Sequence, residues 1–433
     1  MEQLQLDKLQ TVDDLQNMTP NLTVSYQGFT IQSVNIRGVG NSVGNPNIQP
    51  GVAVMQDGMI MGETVVIQQA FLDVETVEIL RGPQGTFVGQ ASTGGAVSIN
   101  SARPNFDGIN GWIEARVGDY QDSKLSGAVN IPVSENVATR FAFSQEERES
   151  YWENSAIPGF GIPWYETGAH PGDTENQNFR ASLLWQPSDS FSLLARAELN
   201  SVRAGTDAPY VPNPRSYVNP NDPTGFGQSQ YRAFSEPVLT GNQDPYNLNY
   251  DLRDSHMDAV SNRYSLEISK IFDNGMEFRS RSGYQYNDLR TAGDSDATRA
   301  TANTFRIDVG PDNDYWNHEF NLISPEDNRV SWLIGTSWYY RWTPVNVSID
   351  NNLCGYNPSN GTVAPCPIDT PQFPLQAVRT DGTTIQRHAG LYGQVLIDLS
   401  DTFELELGAR NSWDNNIADQ RVFVGIFLPD PAD

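Results

Sequence analysis

Residues 77–100, VEILRGPQGTFVGQASTGGAVSIN, place glycines and a proline between two apolar, β-branched runs. A glycine-rich turn binds phosphate when the N-terminus of a helix follows it. This turn contains no Gly-Lys-Ser/Thr, and the pattern after it is that of a strand. A phosphate loop is therefore disfavoured, and we expect glycines that let the backbone turn tightly and pack closely. The motif residues are Gly82, Pro83, Gly85, Gly89, Gly94 and Gly95.

The acidic and histidine side chains of the sequence give little support to acid/base catalysis or metal binding. Glu146 and Glu147 are adjacent on a predicted strand, where neighbouring side chains point to opposite faces, so they cannot flank one bond. The histidines, at positions 170, 256, 318 and 388, are scattered singly. Because no Ser, His and Asp arrangement and no metal-ligand spacing is present, we expect no catalytic residue, no metal site and no cofactor.

The two cysteines, Cys354 and Cys366, bracket the segment GYNPSNGTVAP, which can close as a short loop. The further Cys or His ligands of a zinc site are missing from the sequence around them. We favour a disulfide formed in an oxidising compartment over two free thiols.

Composition and charge exclude several classes of function. The 433-residue chain carries a formal net charge of −26 at pH 7, with 53 acidic against 27 basic residues. Nucleic-acid binding depends on clustered Lys and Arg, so we expect no nucleic-acid partner. Apolar residues make up 38% of the chain, which is low for one compact core of this size. The sequence contains no run of about 18 apolar residues, so it predicts no transmembrane helix.

The hydrophobic pattern changes near residues 100–108. Before this point, short β-type runs alternate with glycine-rich turns, Asp57-Gly58 predicts a hairpin, and apolar residues three apart over residues 6–15 predict a short helix. After it, apolar and polar residues alternate at period two, as in FSLLARAEL, where Arg196 and Glu198 share the polar side. The patterns predict a small mixed α/β domain followed by a large, half-buried sheet.

The connections between the alternating segments distinguish a soluble sandwich from a membrane barrel. Very short polar turns alternate with long segments at about residues 148–176, 202–259, 288–314 and 343–386. Outer-membrane barrels have short periplasmic turns and long extracellular loops, whereas soluble sandwiches rarely tolerate such loops. Aromatic residues near the predicted strand ends agree with a membrane wall, and ordinary sheet packing is the alternative for any one of them. They are Trp112, Trp185, Trp316, Trp332, Trp338, Tyr339, Tyr340, Trp342 and Trp413.

The stretch VEILRGPQGTFVGQASTGGAVSINSARP resembles the plug-domain signature of TonB-dependent outer-membrane receptors, and VNIRGVG and VAVMQDGMI resemble earlier plug strands. WNHEFNLIS, VSWLIGTSWYYR and HAGLYGQVLIDLSDTFELELGARNSWD resemble mid-barrel strands of the same family. The resemblance implies a membrane all-β fold, an antiparallel transmembrane β-barrel of about 22 strands of which about half is present, with an N-terminal mixed α/β plug domain. We expect an N-terminally truncated plug domain at residues 1–105 and a barrel, incomplete at its C-terminus, at residues 106–433.

The resemblance also implies a function. A receptor of this family takes up a scarce, bulky ligand by plug-gated transport that the inner-membrane TonB energy-coupling complex drives, and it lies in the Gram-negative outer membrane among lipid and lipopolysaccharide. A ferric siderophore is the leading ligand. The alternatives are a carbohydrate, a vitamin, or a sensory receptor of the same family. A secretory signal, an energy-coupling box and a C-terminal aromatic residue are missing from the sequence, so we expect an internal fragment of a longer receptor.

Candidate site residues follow from the same resemblance. Arg37 of IRG and Arg81 of LRGP stand where the plug arginines of the family pair with carboxylates of the barrel wall. Glu267 and Glu319, on the polar sides of their strands, are the candidate partners, and glutamates that only line a wet lumen are the alternative. Aromatic residues after position 150 suit stacking on a chelate or sugar, or packing of loop against loop. These are Tyr151, Trp152, Phe160, Trp164 and Tyr165. By the same resemblance, a disulfide between Cys354 and Cys366 would cross-link an extracellular loop.

Overall fold

The computed structural model describes residues 11–27, 31–40, 50–61, 70–83, 92–151, 153–154, 172–205, 247–248, 256–294, 304–325, 328–351, 356–357, 362–363, 375–400 and 402–427. These residues form an N-terminal unit, which ends at Ser101, and a large antiparallel sheet, which begins at Asn110. The domain boundary expected after residue 105 falls in the segment between them. No helix among the described residues is long and apolar enough to cross a membrane.

The N-terminal unit contains a short 3-10 helix and two small sheets. The helix is Asp13–Asn17, and the strands are β1 (Leu22–Gln27), β2 (Ile31–Ile36), β3 (Val39–Gly40), β4 (Val52–Gln56), β5 (Met59–Ile60), β6 (Val74–Arg81) and β7 (Gly95–Ser101). Strands β1, β2 and β3 form one antiparallel sheet. The other sheet has the order β5-β4-β7-β6, with β4 parallel to β7.

One apolar core joins the helix and both small sheets. Its members are Val12, Leu15, Leu22, Val24, Val34, Ile36, Val52, Val54, Met61, Val74, Val97 and Ile99. The hairpin predicted at Asp57-Gly58 is confirmed, since the two residues have φ of 53° and 79° and connect β4 to β5. In the glycine-rich motif, Gly95 has φ 145°, and a Cβ there would collide with the carbonyl oxygen of Leu80 on β6. Glycine therefore lets these two strands approach closely.

Beyond the N-terminal unit, the described residues form eleven longer strands, which make up the large sheet, and four strands of two residues each. In chain order the strands are β8 (Asn110–Val117), β9 (Ser123–Ser134), β10 (Val137–Arg148), β11 (Glu153–Asn154), β12 (Thr174–Ser188), β13 (Phe191–Gly205), β14 (Asn247–Leu248), β15 (His256–Ile271), β16 (Glu277–Asp294), β17 (Thr304–Ile323), β18 (Val330–Asn351), β19 (Tyr356–Asn357), β20 (Thr362–Val363), β21 (Leu375–Ser400) and β22 (Phe403–Phe427). The two-residue strands pair as β11 with β14 and β19 with β20. The others form an 11-stranded sheet in which each strand is antiparallel to the one before it.

The connections at the two ends of the large sheet differ in length. Turns of a few residues join β9 to β10, β12 to β13, β15 to β16, β17 to β18 and β21 to β22. Because successive antiparallel strands reverse direction, all these turns lie at one end. The strand ends that the longer connections join, after β10, β13, β16 and β18, lie at the other end together with the short β8–β9 hairpin. The alternation predicted from the sequence is therefore confirmed, and it is typical of outer-membrane barrels.

The two faces of the large sheet have opposite character. Its inner face, which contacts the N-terminal unit, buries polar and charged side chains such as Arg140, Arg180 and Glu198. Its outer face leaves large apolar side chains exposed: Phe141, Phe143, Phe179, Leu183, Trp185, Leu199, Tyr264, Leu266, Trp316, Ile334, Trp338, Leu391 and Trp413. This distribution is the inverse of that in a soluble domain, and it suits a wall in contact with lipid.

Two of the aromatic residues expected at the membrane boundary face inward instead. Tyr339 is buried, and its hydroxyl donates a hydrogen bond to Gln386 at 3.2 Å. The indole N–H of Trp112 donates to Asp73 of the N-terminal unit at 3.2 Å. Neighbouring side chains on a strand point to opposite faces, so a run of consecutive aromatic residues cannot lie wholly on the lipid side. The expectation of membrane contact is wrong for Tyr339 and Trp112.

Candidate functional site

The inner face of the large sheet meets the N-terminal unit through charged and polar side chains. Three parts of the N-terminal side make the contacts: the β4–β5 hairpin, the residues just before β6, and the connecting segment between β7 and β8. The contacts reach the sheet on β8, β9, β10, β12, β13, β15 and β16. We call this surface the charged interface.

Asp73, just before β6, anchors one side of the charged interface. Arg140 of β10 donates from Nε to Asp73 Oδ2 and from Nη2 to Oδ1, both at 2.6 Å. Trp112 of β8 donates to the same carboxylate at 3.2 Å. The Asp73 side chain is 1% exposed and that of Arg140 is 10% exposed. A bidentate carboxylate–guanidinium pair is strong and geometrically specific, so it fixes the orientation of the N-terminal unit on these strands.

Glu198 of β13 is the centre of a second cluster. Arg180 on β12 and Arg263 on β15 lie directly opposite it in the strand register, and both donate to its carboxylate, Arg180 Nε at 2.6 Å. Gln56 at the end of β4 donates to Glu198 Oε2 at 3.1 Å, and Arg180 donates to the carbonyl oxygen of Leu72 at 2.9 Å. A cavity of about 20 Å³ beside these residues has room for about one water molecule.

The β4–β5 hairpin lies against β13 and β16. Its Asp57 carboxylate accepts hydrogen bonds from the backbone N–H and the hydroxyl of Ser101, both at 2.9 Å, and lies 3.6 Å from Arg196 of β13. Met59 packs on Gly283 of β16, where a Cβ would collide with its sulfur atom. The hairpin therefore occupies a space that exists because residue 283 has no side chain.

A third cluster crosses β15, β16 and β17 with alternating charge. Glu267, Arg281 and Glu319 are directly opposite one another in register. Arg281 Nε lies 2.9 Å from Glu267 Oε2, and its Nη1 lies 3.7 Å from Glu319 Oε1. Arg103, from the connecting segment, donates a hydrogen bond to Glu267. Opposite charges directly across strands attract, so this row stabilises the wall as well as the contact with Arg103.

The connecting segment is also bound to β9 through Asn130, which is 0% exposed. Asn130 Oδ1 accepts a hydrogen bond from the backbone N–H of Asn105 at 2.9 Å. Its Nδ2 donates to the carbonyl oxygens of Asn105 and Gly108 at 3.1 and 3.0 Å. One buried side chain thus satisfies backbone groups on both sides of a short bend.

The structure corrects the expected pairing of the N-terminal arginines. Arg37 lies in the turn between β2 and β3, Arg81 ends the edge strand β6, and both are exposed. Neither forms an ion pair with another residue in the described part of the chain. Glu267 and Glu319 lie on the inner face, but the N-terminal partner of Glu267 is Arg103. Pairing of Arg37 or Arg81 with these glutamates is therefore wrong.

Of the aromatic residues expected to contact a ligand, the structure describes Tyr151. Its ring packs edge-on against Tyr120 with 6.1 Å between centroids, and the guanidinium of Arg148 lies 5.7 Å from its centroid. Packing between loops, the alternative interpretation, accounts for these contacts.

Part of the glycine-rich motif lies among the described residues. The backbone N–H of Gly82 donates a hydrogen bond to the carbonyl oxygen of Gly94 at 3.1 Å, and Pro83 is exposed. Several predicted residues lie outside the described residues: Gly85, Gly89, Trp152, Phe160, Trp164, Tyr165, Cys354 and Cys366.

The chemistry of the charged interface is that of a docking surface. Among the described residues, no three His, Cys, Asp or Glu side chains lie close enough together to hold a metal ion. The carboxylates of Asp73, Glu198 and Glu267 are each engaged by guanidinium groups. The arrangement can hold one unit against another in a single orientation.

Comparison with known families identifies the two units. Residues 1–96 match the TonB-dependent receptor plug domain, and residues 198–430, more than half of the chain, match the TonB-dependent receptor-like β-barrel. The chain belongs to the TonB-dependent receptor family. The N-terminal unit is the plug domain, the large sheet is part of the barrel wall, and its inner face is the lumenal face. The location of this receptor is the Gram-negative outer membrane.

Known proteins similar to this receptor include two from Yersinia. The chain is 23% identical over 293 residues to the ferrioxamine receptor of Yersinia enterocolitica, covering 67% of this chain and 35% of that protein. It is 32% identical over 133 residues to the pesticin receptor of Yersinia pestis, covering 28% of this chain and 19% of that protein. The chain therefore spans only part of the length of these relatives.

Solved structures show the same fold. The ferric yersiniabactin uptake receptor of Yersinia pestis superposes with a TM-score of 0.72 at 17% identity, over 97% of this chain and 59% of that chain. The ferripyoverdine receptor of Pseudomonas aeruginosa superposes with a TM-score of 0.65 at 14% identity, over 96% of this chain and 52% of that chain. The chain thus covers the plug and part of a receptor barrel.

Proposed function

We propose that the receptor containing this chain imports a ferric siderophore across the outer membrane by plug-gated, TonB-dependent transport. The observation that carries the proposal is the charged interface, in which a plug domain is held on the lumenal face of a lipid-facing sheet. Its direct contacts between plug and wall include Asp73 with Arg140 and Gln56 with Glu198. A plug held in this position must move before a bulky ligand passes.

The chemistry of the interface suits a plug that is fixed at rest and movable under force. Losing one partner of a buried ion pair costs about 3–5 kcal/mol, because the other charge stays buried and unpaired. When water enters between the two surfaces, it can hydrogen-bond both partners and offset much of that loss. Force from the inner-membrane TonB complex on the plug would supply the separation.

The names of the relatives support an iron chelate as the cargo. The similarity to the ferrioxamine receptor extends over 67% of this chain, and the receptors for ferric yersiniabactin and ferripyoverdine share its fold. The exposed apolar outer face would contact lipid, with lipopolysaccharide at the end that carries the long connections.

Uptake of radioactive iron tests the proposal. The protein is expressed at its natural length in a Gram-negative strain that lacks its own siderophore receptors, and the cells are supplied with labelled ferrioxamine, ferric yersiniabactin or ferripyoverdine. We expect accumulation of iron from at least one chelate in cells with TonB, and surface binding without accumulation in matched cells without TonB. Absence of accumulation from every chelate, with the receptor present at the cell surface, would contradict the proposal.

A further inference from the structure

One row of lumenal residues across the barrel wall is uncharged. The members of the row lie on successive strands from β9 to β21, and those on β9 to β17, like those on β18 and β21, directly oppose one another in register. They are Ser126, Ser144, Asn178, Asn200, Ser261, Asn287, Asn313, Thr343 and Thr384. The contact between Asn313 and Thr343 is a side-chain hydrogen bond of 3.1 Å. We call this row the neutral collar.

The neutral collar adjoins the charged rows. Two residues further along β12, β13 and β15, toward the short turns, lie Arg180, Glu198 and Arg263 of the charged interface. Several collar residues bond within the wall: Asn200 donates to the carbonyl oxygen of Ser261 at 3.2 Å. Arg180 Nε and Arg263 Nη2 donate to Glu198, and the side chains of the collar row itself are only amides and hydroxyls.

Some atoms of the neutral collar have no hydrogen-bond partner within the described part of the chain. They are Ser144 Oγ, both polar side-chain atoms of Asn178, and Asn287 Nδ2. Asn178 is 4% exposed, and Ser144 lies directly opposite it on β10. A buried polar group without a partner costs about 1–3 kcal/mol, so native structures rarely keep one unless a water molecule or a ligand completes it.

We propose that the neutral collar is a transit binding site in the lumen for uncharged amide, carbonyl and hydroxyl groups of the imported ligand. The inference rests on the proposed transport function. Asn side chains offer both donors and acceptors, and Ser and Thr hydroxyls do the same, so a neutral polar ligand can satisfy the orphaned atoms. An anionic ligand would lose its hydration here without gaining a cation from the collar. The collar residues are buried at rest, so the ligand meets them once the lumen opens.

Introducing a charge into the collar tests the proposal. The variants Asn178→Asp and Asn287→Asp lie on different strands, and Asn136→Asp makes the same change in the exposed turn between β9 and β10. The first probe is ferrioxamine, whose iron centre is neutral because three hydroxamates balance the charge of the ferric ion, and the anionic probe is ferric citrate. Surface binding is measured in de-energised cells and uptake in energised cells, each normalised to the receptor at the surface.

We expect both collar variants to slow ferrioxamine uptake by about tenfold or more, because a buried carboxylate disfavours passage. Surface binding should stay within about twofold of wild type. Asn178→Gln should retain most of the uptake, and Asn136→Asp should match wild type. The collar proposal would be overturned if either aspartate variant took up ferrioxamine at the wild-type rate. It would also be overturned if the wild type imported ferric citrate but not ferrioxamine. Neither result would contradict the proposed transport function. Import of neither probe by wild type would refute the collar proposal, whereas the transport function fails only if every chelate of the uptake test also fails.

Discussion

The Asp73→Asn substitution isolates the charge of the ion pair between plug and wall. Asn has nearly the size of Asp and tolerates the left-handed backbone at this position, where φ is 46°, so the fold of the chain need not change. In the wild type, Nε and Nη2 of Arg140 each lie 2.6 Å from an oxygen of the Asp73 carboxylate. The amide of the variant can accept a hydrogen bond from Arg140 but cannot neutralise its charge. Loss of one member of a buried pair should cost about 3–5 kcal/mol.

This cost should appear as easier local opening of the plug around residue 73. The carbonyl oxygen of Asp73 accepts a hydrogen bond from the N–H of Ala102 at 2.9 Å, so the two segments open together. Hydrogen exchange of the natural-length receptor in lipid, followed by mass spectrometry of peptides from residues 70–83 and 92–105, measures the opening. Where exchange reports the opening equilibrium, we expect acceleration by about two to three and a half orders of magnitude.

Two further variants make the test decisive. Asp107→Asn makes the same chemical change at an exposed side chain, and exchange should stay within about threefold of wild type. Adding Arg140→Met to Asp73→Asn removes the uncompensated cation and should recover part of the loss, since an apolar replacement of a buried pair is often close to neutral. If Asp73→Asn exchanges no faster than Asp107→Asn, the charge of Asp73 does not hold the plug and the reasoning is refuted.

Two other contacts give predictions of the same kind. Gly283→Ala should destabilise the protein by about 1–3 kcal/mol, because its methyl group needs the space of the Met59 sulfur. The same change should cost much less thermal stability when it is made in a Met59→Ala background, and an equal loss in both backgrounds would show that Met59 does not cause the destabilisation. Asn130→Ala should loosen the segment between plug and wall, because it removes the hydrogen bonds to Asn105 and Gly108. Chymotrypsin should then cleave after the exposed Phe106 faster than in wild type. Equal cleavage rates would show that other contacts hold this segment.

Local patterns in the sequence predicted which side chains face the lumen. Arg196 and Glu198 share the polar side of FSLLARAEL, and both lie on the inner face against the plug. The hairpin at Asp57-Gly58 was equally predictable, because positive φ at both central residues is a property of the turn alone. Alternation and turn geometry depend on near neighbours along the chain, so the sequence carries them directly.

The partners across the charged interface could not be predicted in this way. Asp73 and Arg140 are 67 positions apart, and no local pattern joins them. Arg37 and Arg81 had the motif positions expected of docking residues, yet Arg103 makes the contact with Glu267. Which residue meets the wall depends on how the plug packs against a curved sheet, and this is a property of the whole fold.

The placement of charge across the interface has a consequence for the return of the plug. Asp57 and Asp73 belong to the plug, whereas Arg196 and Arg140 belong to the wall. If the plug moves away, as the proposed transport requires, two guanidinium groups remain in the lumen without these carboxylates, and their attraction for Asp57 and Asp73 would favour docking in the original orientation. An anionic ligand would compete for the same groups and delay docking. A ligand bound by the neutral collar would not, so transit of neutral groups and resetting of the plug are compatible in one lumen.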